Sequence, residues 1–486
     1  MNYTKMRLAG GAQRWMLPIA CFLLALTSCR SHDAGMPLPE LRPEGSVLHL
    51  SISTPRSVAL RGAEMVDPMQ QIKTLHFAFY TEDGQLSTEV REMKVTSPDQ
   101  LKDLTLALPE GAYKLVVVAN ATPALVRETA VGRPLSAISE YRSMLVDALS
   151  TASDGSLTIA QLNEQGAISV PASAFASTTP QVQVTLEPAL ARVFVYGEPQ
   201  LPTGVTRGSA PADYLVNGVA RYTAPLRPLG LLRSGVKEAQ GDGSNPADRY
   251  PSSRLYELWG NNSTPTTLTE ALAYYTPEMI LGKTNMTIPR AALLADEAGI
   301  AEARTRQPYY IRETTVPQTA YLVGSIPTVV LRFPYIPAGL SLQGDEGWFS
   351  FEGKYYAEHE LREMIRSGKA EDVRLQEAIR QAGLTEEMLS ASFEMYGISF
   401  HYRSYCYYTI PIRHFNDREA PEKTSLGRYG LVRGNEYRIH LTRILRPGSA
   451  VPPDLAHDLR PLTEESELHV VIRVRPVVNR SQEAHL

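Results

Sequence analysis

Cysteine is nearly absent from this chain: three in 486 residues, at positions 21, 29 and 406. A fold stapled by disulfides is therefore excluded, and stability must come from packing. Long apolar runs are equally scarce. The only one is Met16 to Leu26, short of the roughly 20 residues that span a bilayer. Basic charge is not in excess, since 48 Lys and Arg stand against 52 Asp and Glu with no basic run. Nucleic acid is thus disfavoured as a partner. There is no G-x-S-x-G elbow, phosphate loop or dinucleotide fingerprint. His359-Glu360-Leu361-Arg362-Glu363 lacks the second histidine of a zinc helix and reads as a solvated charged face. Asp242, Ser244, Asn245 and Asp248 offer oxygens but not the ordered spacing of a calcium loop. Cys406 lies inside Tyr405-Cys406-Tyr407-Tyr408 and reads as an inert thiol in a strand. His414 follows beside Arg413, and nothing marks it as a base. No catalytic residue, metal or cofactor is assigned, and the chain reads as a non-enzyme.

What is present begins with the leader. Lys5, Arg7 and Arg14 precede the apolar run, and Leu26-Thr27-Ser28 leads into Cys29. This is the pattern of an export signal. The small residues before a cysteine resemble a bacterial lipobox, which implies cleavage before Cys29 and acylation of that residue. Residues 1–28 are the expected signal peptide. They carry three basic residues and no acidic one, so the remaining chain holds 45 basic against 52 acidic side chains, a net charge of −7. Several acyl chains on one cysteine make a strong anchor. Residues 29–45 are polar and proline-rich and read as a tether.

Strand patterns dominate the rest. From Ser46 to Ser53, Leu48, Leu50 and Ile52 alternate with polar residues, and Pro55 ends the run. A link containing Arg56 and Arg61 follows. Ile72 to Tyr80 reads as a strand, Glu82-Asp83-Gly84 as a turn, and Leu86 to Val90 as its hairpin partner. Leu104, Leu106 and Leu108 alternate. Tyr113 to Ala119 is continuous and β-branched, as in a strand buried on both faces. Leu135 to Leu149 suggests a helix. Gln181–Leu186 and Ala191–Tyr196 are strands on either side of Glu187-Pro188. Residues 198–307 are irregular. Tyr321–Ile326 and Thr328–Phe333 read as strands, and Trp348–Tyr356 as a hairpin about Glu352-Gly353. Glu358–Tyr396 reads as helical, broken near Gly368 and Gly383. Tyr405–Ile412, Glu436–Leu445 and Leu468–Val474 read as strands, the last with Leu468, Val470, Ile472 and Val474 on one face. Arg446–Ser466 is polar and proline-rich, as a flexible arm would be. The expected class is mainly β, with a β-sandwich in the first half and a few helices in the C-terminal half. The expected division is 46–187 and 188–486, the latter with a C-terminal arm over 446–486.

Several segments in order resemble the fimbrilins of Bacteroidetes, the short fimbrial subunits of Porphyromonas in particular. The lipobox is followed by a strand and an arginine-containing link. Gly111 to Asn120 resembles a G-x-Y-x-hydrophobic strand closing in Ala-Asn. Thr319-Ala320-Tyr321-Leu322-Val323 resembles the family's T-A-Y-V-L-V strand, and Phe351-Glu352-Gly353-Lys354-Tyr355-Tyr356-Ala357 its N-G-K-F-Y-A hairpin. Tyr407-Tyr408-Thr409 to Arg413-His414 resembles a Tyr-rich strand. Tyr429 to Tyr437 (YGLVRGNEY) resembles V-V-R-N-N-x-Y and is the specific match. The family's closing strand ends in Pro-Trp, whereas Arg475-Pro476-Val477 lacks the tryptophan.

The resemblance implies a two-domain transthyretin-like β-sandwich pilin. Such a subunit crosses the envelope as an outer-membrane lipoprotein precursor and reaches the surface. An arginine-specific surface protease cuts the link, after Arg61 and before Gly62 by preference, with Arg56 the second choice. Residues 46–61, with Leu48, Leu50 and Ile52, would then leave. A donor strand from a neighbouring subunit, Leu468, Val470, Ile472 and Val474, would fill the groove. Partners would be further copies and accessory subunits, in a surface fimbrium serving adhesion. The alternatives are an accessory or tip adhesin, an anchor that keeps its lipid, or a glycan-binding surface lipoprotein.

Overall fold

The computed structural model describes residues 46–486 apart from 54–66, 142–144, 151–156, 165, 227–271, 307–308, 316–321, 415–428, 463–466 and 478–486. The expected signal peptide, Cys29, the tether, Arg56, Arg61, Gly62 and the Asp242–Asp248 loop all lie outside the described residues. Ser46 to Leu486 forms one compact unit. Among the described residues no helix is long and apolar enough to cross a membrane.

The chain is mainly β. Eight strands from the first part share one sheet: β1 Ser46–Ser53, β2 Thr74–Thr81, β3 Ser87–Lys94, β4 Leu104–Leu108, β5 Tyr113–Ala119, β6 Gln161–Asn163, β7 Ile168–Val170 and β8 Val182–Pro188. Their order is β3-β2-β5-β6-β8-β1-β4, with β7 added beside β5. Both faces of the central strands are covered. Leu75, Phe77, Phe79, Leu115 and Val117 join Leu48, Leu50 and Ile52 in one core. Ala78, Tyr80, Val116 and Val118 turn to a second core, under Leu125 of helix α1 (Pro123–Glu128) and Ile138 of α2 (Leu135–Ser139). The unbroken apolar run of β5 reflects this double burial. Helices thus occur in this half as well as in the C-terminal one.

From Ala191 onward the strands join other sheets. β9 (Ala191–Tyr196) runs parallel to β17 (Asn435–Ile444), and β17 carries the last strand, β18 (Leu468–Pro476), antiparallel on its other side. β10 (Asp213–Asn217) and β16 (Tyr405–Pro411) flank β11 (Thr328–Ile336). Between β11 and β16 a separate small sheet is inserted: β12 Trp348–Phe351, β13 Lys354–Ala357, β14 Phe393–Met395 and β15 Ile398–His401. It packs its own core against α4 (Glu358–Ser367) and α5 (Val373–Ala382), through Phe349, Leu361 and Leu375 among others. A shorter helix, α3 (Gly299–Arg306), precedes these. The β12–β13 turn has Glu352 and Gly353 at φ 47° and 79°, the left-handed pair that a two-residue hairpin requires.

Three expectations need correcting. The Tyr321–Ile326 strand is replaced, over its described residues, by a 3-10 turn at Val323–Ser325. Ser325 closes it by bonding to Leu322, and Gly324 lies so close to Leu455 that a Cβ would stand 2.2 Å from its carbonyl oxygen. The helical region ends at Ala382, followed by a 3-10 turn over Glu386–Ser390. Phe393 and Ile398 are then drawn into the inserted sheet about a Tyr396-Gly397 turn with both φ positive. The proline-rich segment after β17 is held down, not loose, over its described part. Ser449 exchanges backbone hydrogen bonds with Tyr407 at 2.9 and 3.1 Å, Leu455 is buried, and Arg460 accepts from Val323 N–H at 2.9 Å.

Candidate functional site: the first and last strands

β1 occupies an interior slot. It pairs antiparallel with β4, from Ser46 opposite Leu108 to Leu50 opposite Leu104. On its other side it pairs parallel with β8, from Leu50 opposite Val182 to Ser53 opposite Thr185. Leu48 and Leu50 are fully buried and Ile52 is 5 % exposed. Burial of such side chains stabilises by about 1.5–3 kcal/mol each, so the slot holds several kcal/mol of apolar contact. The opposite face carries His49, whose Nδ1 lies 3.0 Å from Asp103 Oδ1. Without β1, the facing edges of β4 and β8 would lose their backbone partners.

β18 stands in a contrasting position. Among the described residues it lies at the edge of its sheet, and its ladder partner there is β17. Leu468 and Ile472 are buried in the core of the second part, and Val470 and Val474 pack beside them half-buried. His469, Val471, Arg473 and Arg475 are exposed. The four residues expected on one face are therefore on one face, and in this conformation they serve their own chain. Just past the strand, Val477 is buried in the core under α1 and α2, donates its N–H to Gly434 and accepts from Gln70 Nε2 at 3.1 Å.

The residues immediately after the link are fastened to the same region. Arg192 of β9 is 1 % exposed and grips Asp67 with two nitrogens, at 2.7 and 2.6 Å. Its Nε donates to Glu436 of β17 at 2.7 Å. Glu436 also receives Arg304 of α3 at 2.7 and 2.8 Å and Arg438 at 2.6 Å. Burial opposes ionisation of Glu436, but hydrogen bonding from Arg304 and the charges of Arg192, Arg304 and Arg438 outweigh it and hold the carboxyl down to about 2. The sequence reading missed Asp67, Arg192, Glu436 and Val477. A signal was available in Ala191-Arg192-Val193-Phe194-Val195, where a charge inside an apolar strand calls for a buried partner.

The remaining candidates are engaged structurally. Cys406 is fully buried, 3.3 Å from His401 Nδ1, and burial pushes its thiol far above the ordinary range. His359 Nδ1 lies 2.7 Å from Glu346, and Glu360 accepts the N–H of Ala357 to cap its helix. Nδ1 of buried His414 lies 2.8 Å from the Tyr437 hydroxyl. Among the described residues no group of His, Cys, Asp or Glu is placed to hold a metal ion.

Residues 399–483 match the family model for the C-terminal part of fimbrillin, the major fimbrial subunit protein type IV. The match takes in β16, β17 and β18, and the resemblance read from the sequence is borne out there. No curated protein matches the chain. Solved structures similar to it include a fimbrilin of Porphyromonas gingivalis, at 14 % identity over 90 % of this chain and 99 % of that one, with a TM-score of 0.42. A candidate cell adhesion protein of Parabacteroides distasonis gives 14 %, 89 %, 97 % and 0.44 in the same order. The C-terminally truncated tip fimbrial protein of Porphyromonas gingivalis gives 10 %, 88 %, 99 % and 0.38.

Proposed function

We propose that this chain is a structural subunit of a surface fimbria that polymerises by exchange of strands. The fimbrillin match at residues 399–483 supports the subunit role and a place among other fimbrial subunits at the cell surface. The finer reading rests on one observation. The strand next to the arginine-containing link fills an interior slot, while a strand with an apolar row of the same period lies at an edge near the other end of the chain.

In this reading the precursor is carried to the outer membrane by acylated Cys29. β1 completes its own fold and blocks premature assembly. An arginine-specific protease cuts after Arg61, with Arg56 the second site, and β1 departs. The subunit divides at 187/188 into two sandwiches, and the new N-terminus stays fastened because Asp67 is held by Arg192 and Met69 is buried. β18 of another copy then enters the open slot. Its row of Leu468, Val470, Ile472 and Val474 replaces the lost apolar face, and its backbone restores the lost ladder.

The test is the N-terminus and intact mass of the protein taken from the cell surface. A start at Gly62 without lipid is expected. A start at acylated Cys29 would overturn the processed-subunit reading and leave an anchor or a surface binding lipoprotein.

A further inference from the structure

The first and last strands share more than a period. β1 reads Leu48-His49-Leu50-Ser51-Ile52, and β18 begins Leu468-His469-Val470-Val471-Ile472. Leucine, histidine and isoleucine recur at the same places, and the third place is aliphatic in both. Burial alternates in the same phase. Leu48, Leu50 and Ile52 face a core, as do Leu468, Val470 and Ile472, and His469 and Val471 are exposed. The strands lie in different sheets and serve different cores, so packing within one subunit does not require them to agree.

We propose that β18 of a second copy occupies the slot in the register of β1, and in its direction. Leu468 takes the place of Leu48, His469 of His49, Val470 of Leu50 and Ile472 of Ile52. This rests on the strand-exchange reading above and adds to it the pairing of individual residues. The outward histidine is what distinguishes this register from one displaced by two residues, which would present aliphatic groups to the core almost as well. In the slot, the histidine stands opposite Thr105 and within reach of Asp103, which already meets His49 at 3.0 Å. At home, His469 stands opposite the cation Arg443. The register therefore moves the histidine from a cation to a carboxylate. The donor would lie antiparallel to β4 and parallel to β8, with Leu468 opposite Leu106 and Val470 opposite Leu104 of the acceptor.

Engineered cysteines in the processed, polymerised protein test this, because opposed Cα atoms in a sheet lie within disulfide reach. Thr105 and His469 are both exposed, so replacing them should leave the fold intact. The expected result is that Thr105→Cys with His469→Cys gives a ladder of covalent multimers under oxidising, denaturing conditions, and that each single variant gives none. A ladder from Thr105→Cys with Glu467→Cys or with Val471→Cys, in place of His469→Cys, would overturn the register and leave strand exchange standing. The pair Arg443→Cys with His469→Cys reports the strand at home. Its quantitative closure within single subunits of the polymer would overturn strand exchange and the register together.

Discussion

Arg192 shows how one residue can tie the segment after β1 to the body of the protein. It lies wholly inside the structure, yet its guanidinium spends two nitrogens on Asp67 and one on Glu436. Glu436 in turn collects Arg304 and Arg438, so its carboxylate is the hub of the cluster. Removing one partner of a buried ion pair typically costs about 3–5 kcal/mol, because the remaining charges lose their compensation. Glu436→Gln should lower the unfolding free energy by that order at neutral pH, measured by urea denaturation. The acid response follows from the direction of the shift. The folded carboxyl is depressed from about 4.5 to about 2, so its stabilisation is complete above about pH 4.5 and is lost as the pH falls toward 2. Wild-type stability should therefore decline across that window more steeply than that of Glu436→Gln. Equal slopes would show that the arginines do not hold the carboxylate in its charged form.

β1 poses a sharper test at the scale of an element. In the precursor it fills the slot, and Leu50→Ala should destabilise it by about 2–5 kcal/mol, as truncation of a buried leucine does. Under the proposed processing the residue is absent from the polymer, so the melting of fimbriae grown from the same variant should match wild type. A polymer weakened equally by Leu50→Ala would mean that β1 is retained. The bounds of this strand were legible to the residue, since three apolar positions alternate with polar ones and a proline follows. The hairpin of β2 and β3, the doubly buried β5 and the β12–β13 turn were legible for similar local reasons. The stretch at Tyr321–Ile326 was not, because its shape is set by contact with Leu455, far along the chain. The end of the helical region was misplaced because Glu386–Ser390 continues the charged pattern, while the fold of Phe393–His401 is dictated by pairing with β12. The Asp67–Arg192–Glu436 cluster spans separations of 125 and 244 residues, beyond the reach of any local pattern.

For the whole molecule, β18 connects the two halves of the fold. Leu468 and Ile472 belong to the core of the later sheets, and Val477 belongs to the core beneath α1 and α2, where Gln70 holds its carbonyl. Losing the strand should therefore lower the melting temperature of a monomer without abolishing its fold, because β17 keeps β9 as its other neighbour. The proposed strand exchange makes assembly directional. A processed subunit truncated after Leu462 has an open slot between β4 and β8 but no strand to give. It can accept one neighbour and can be accepted by none, so it should terminate a growing fibre. Mixed in rising proportion with processed full-length protein, it should shorten the fibres seen by electron microscopy in proportion to its share, and alone it should form none. A peptide covering Glu467–Val477 should occupy its slot, raise its melting temperature and remove its capping effect. Fibres of unchanged length despite a rising share of truncated subunits would show that the slot between β4 and β8 is not the joint of the polymer.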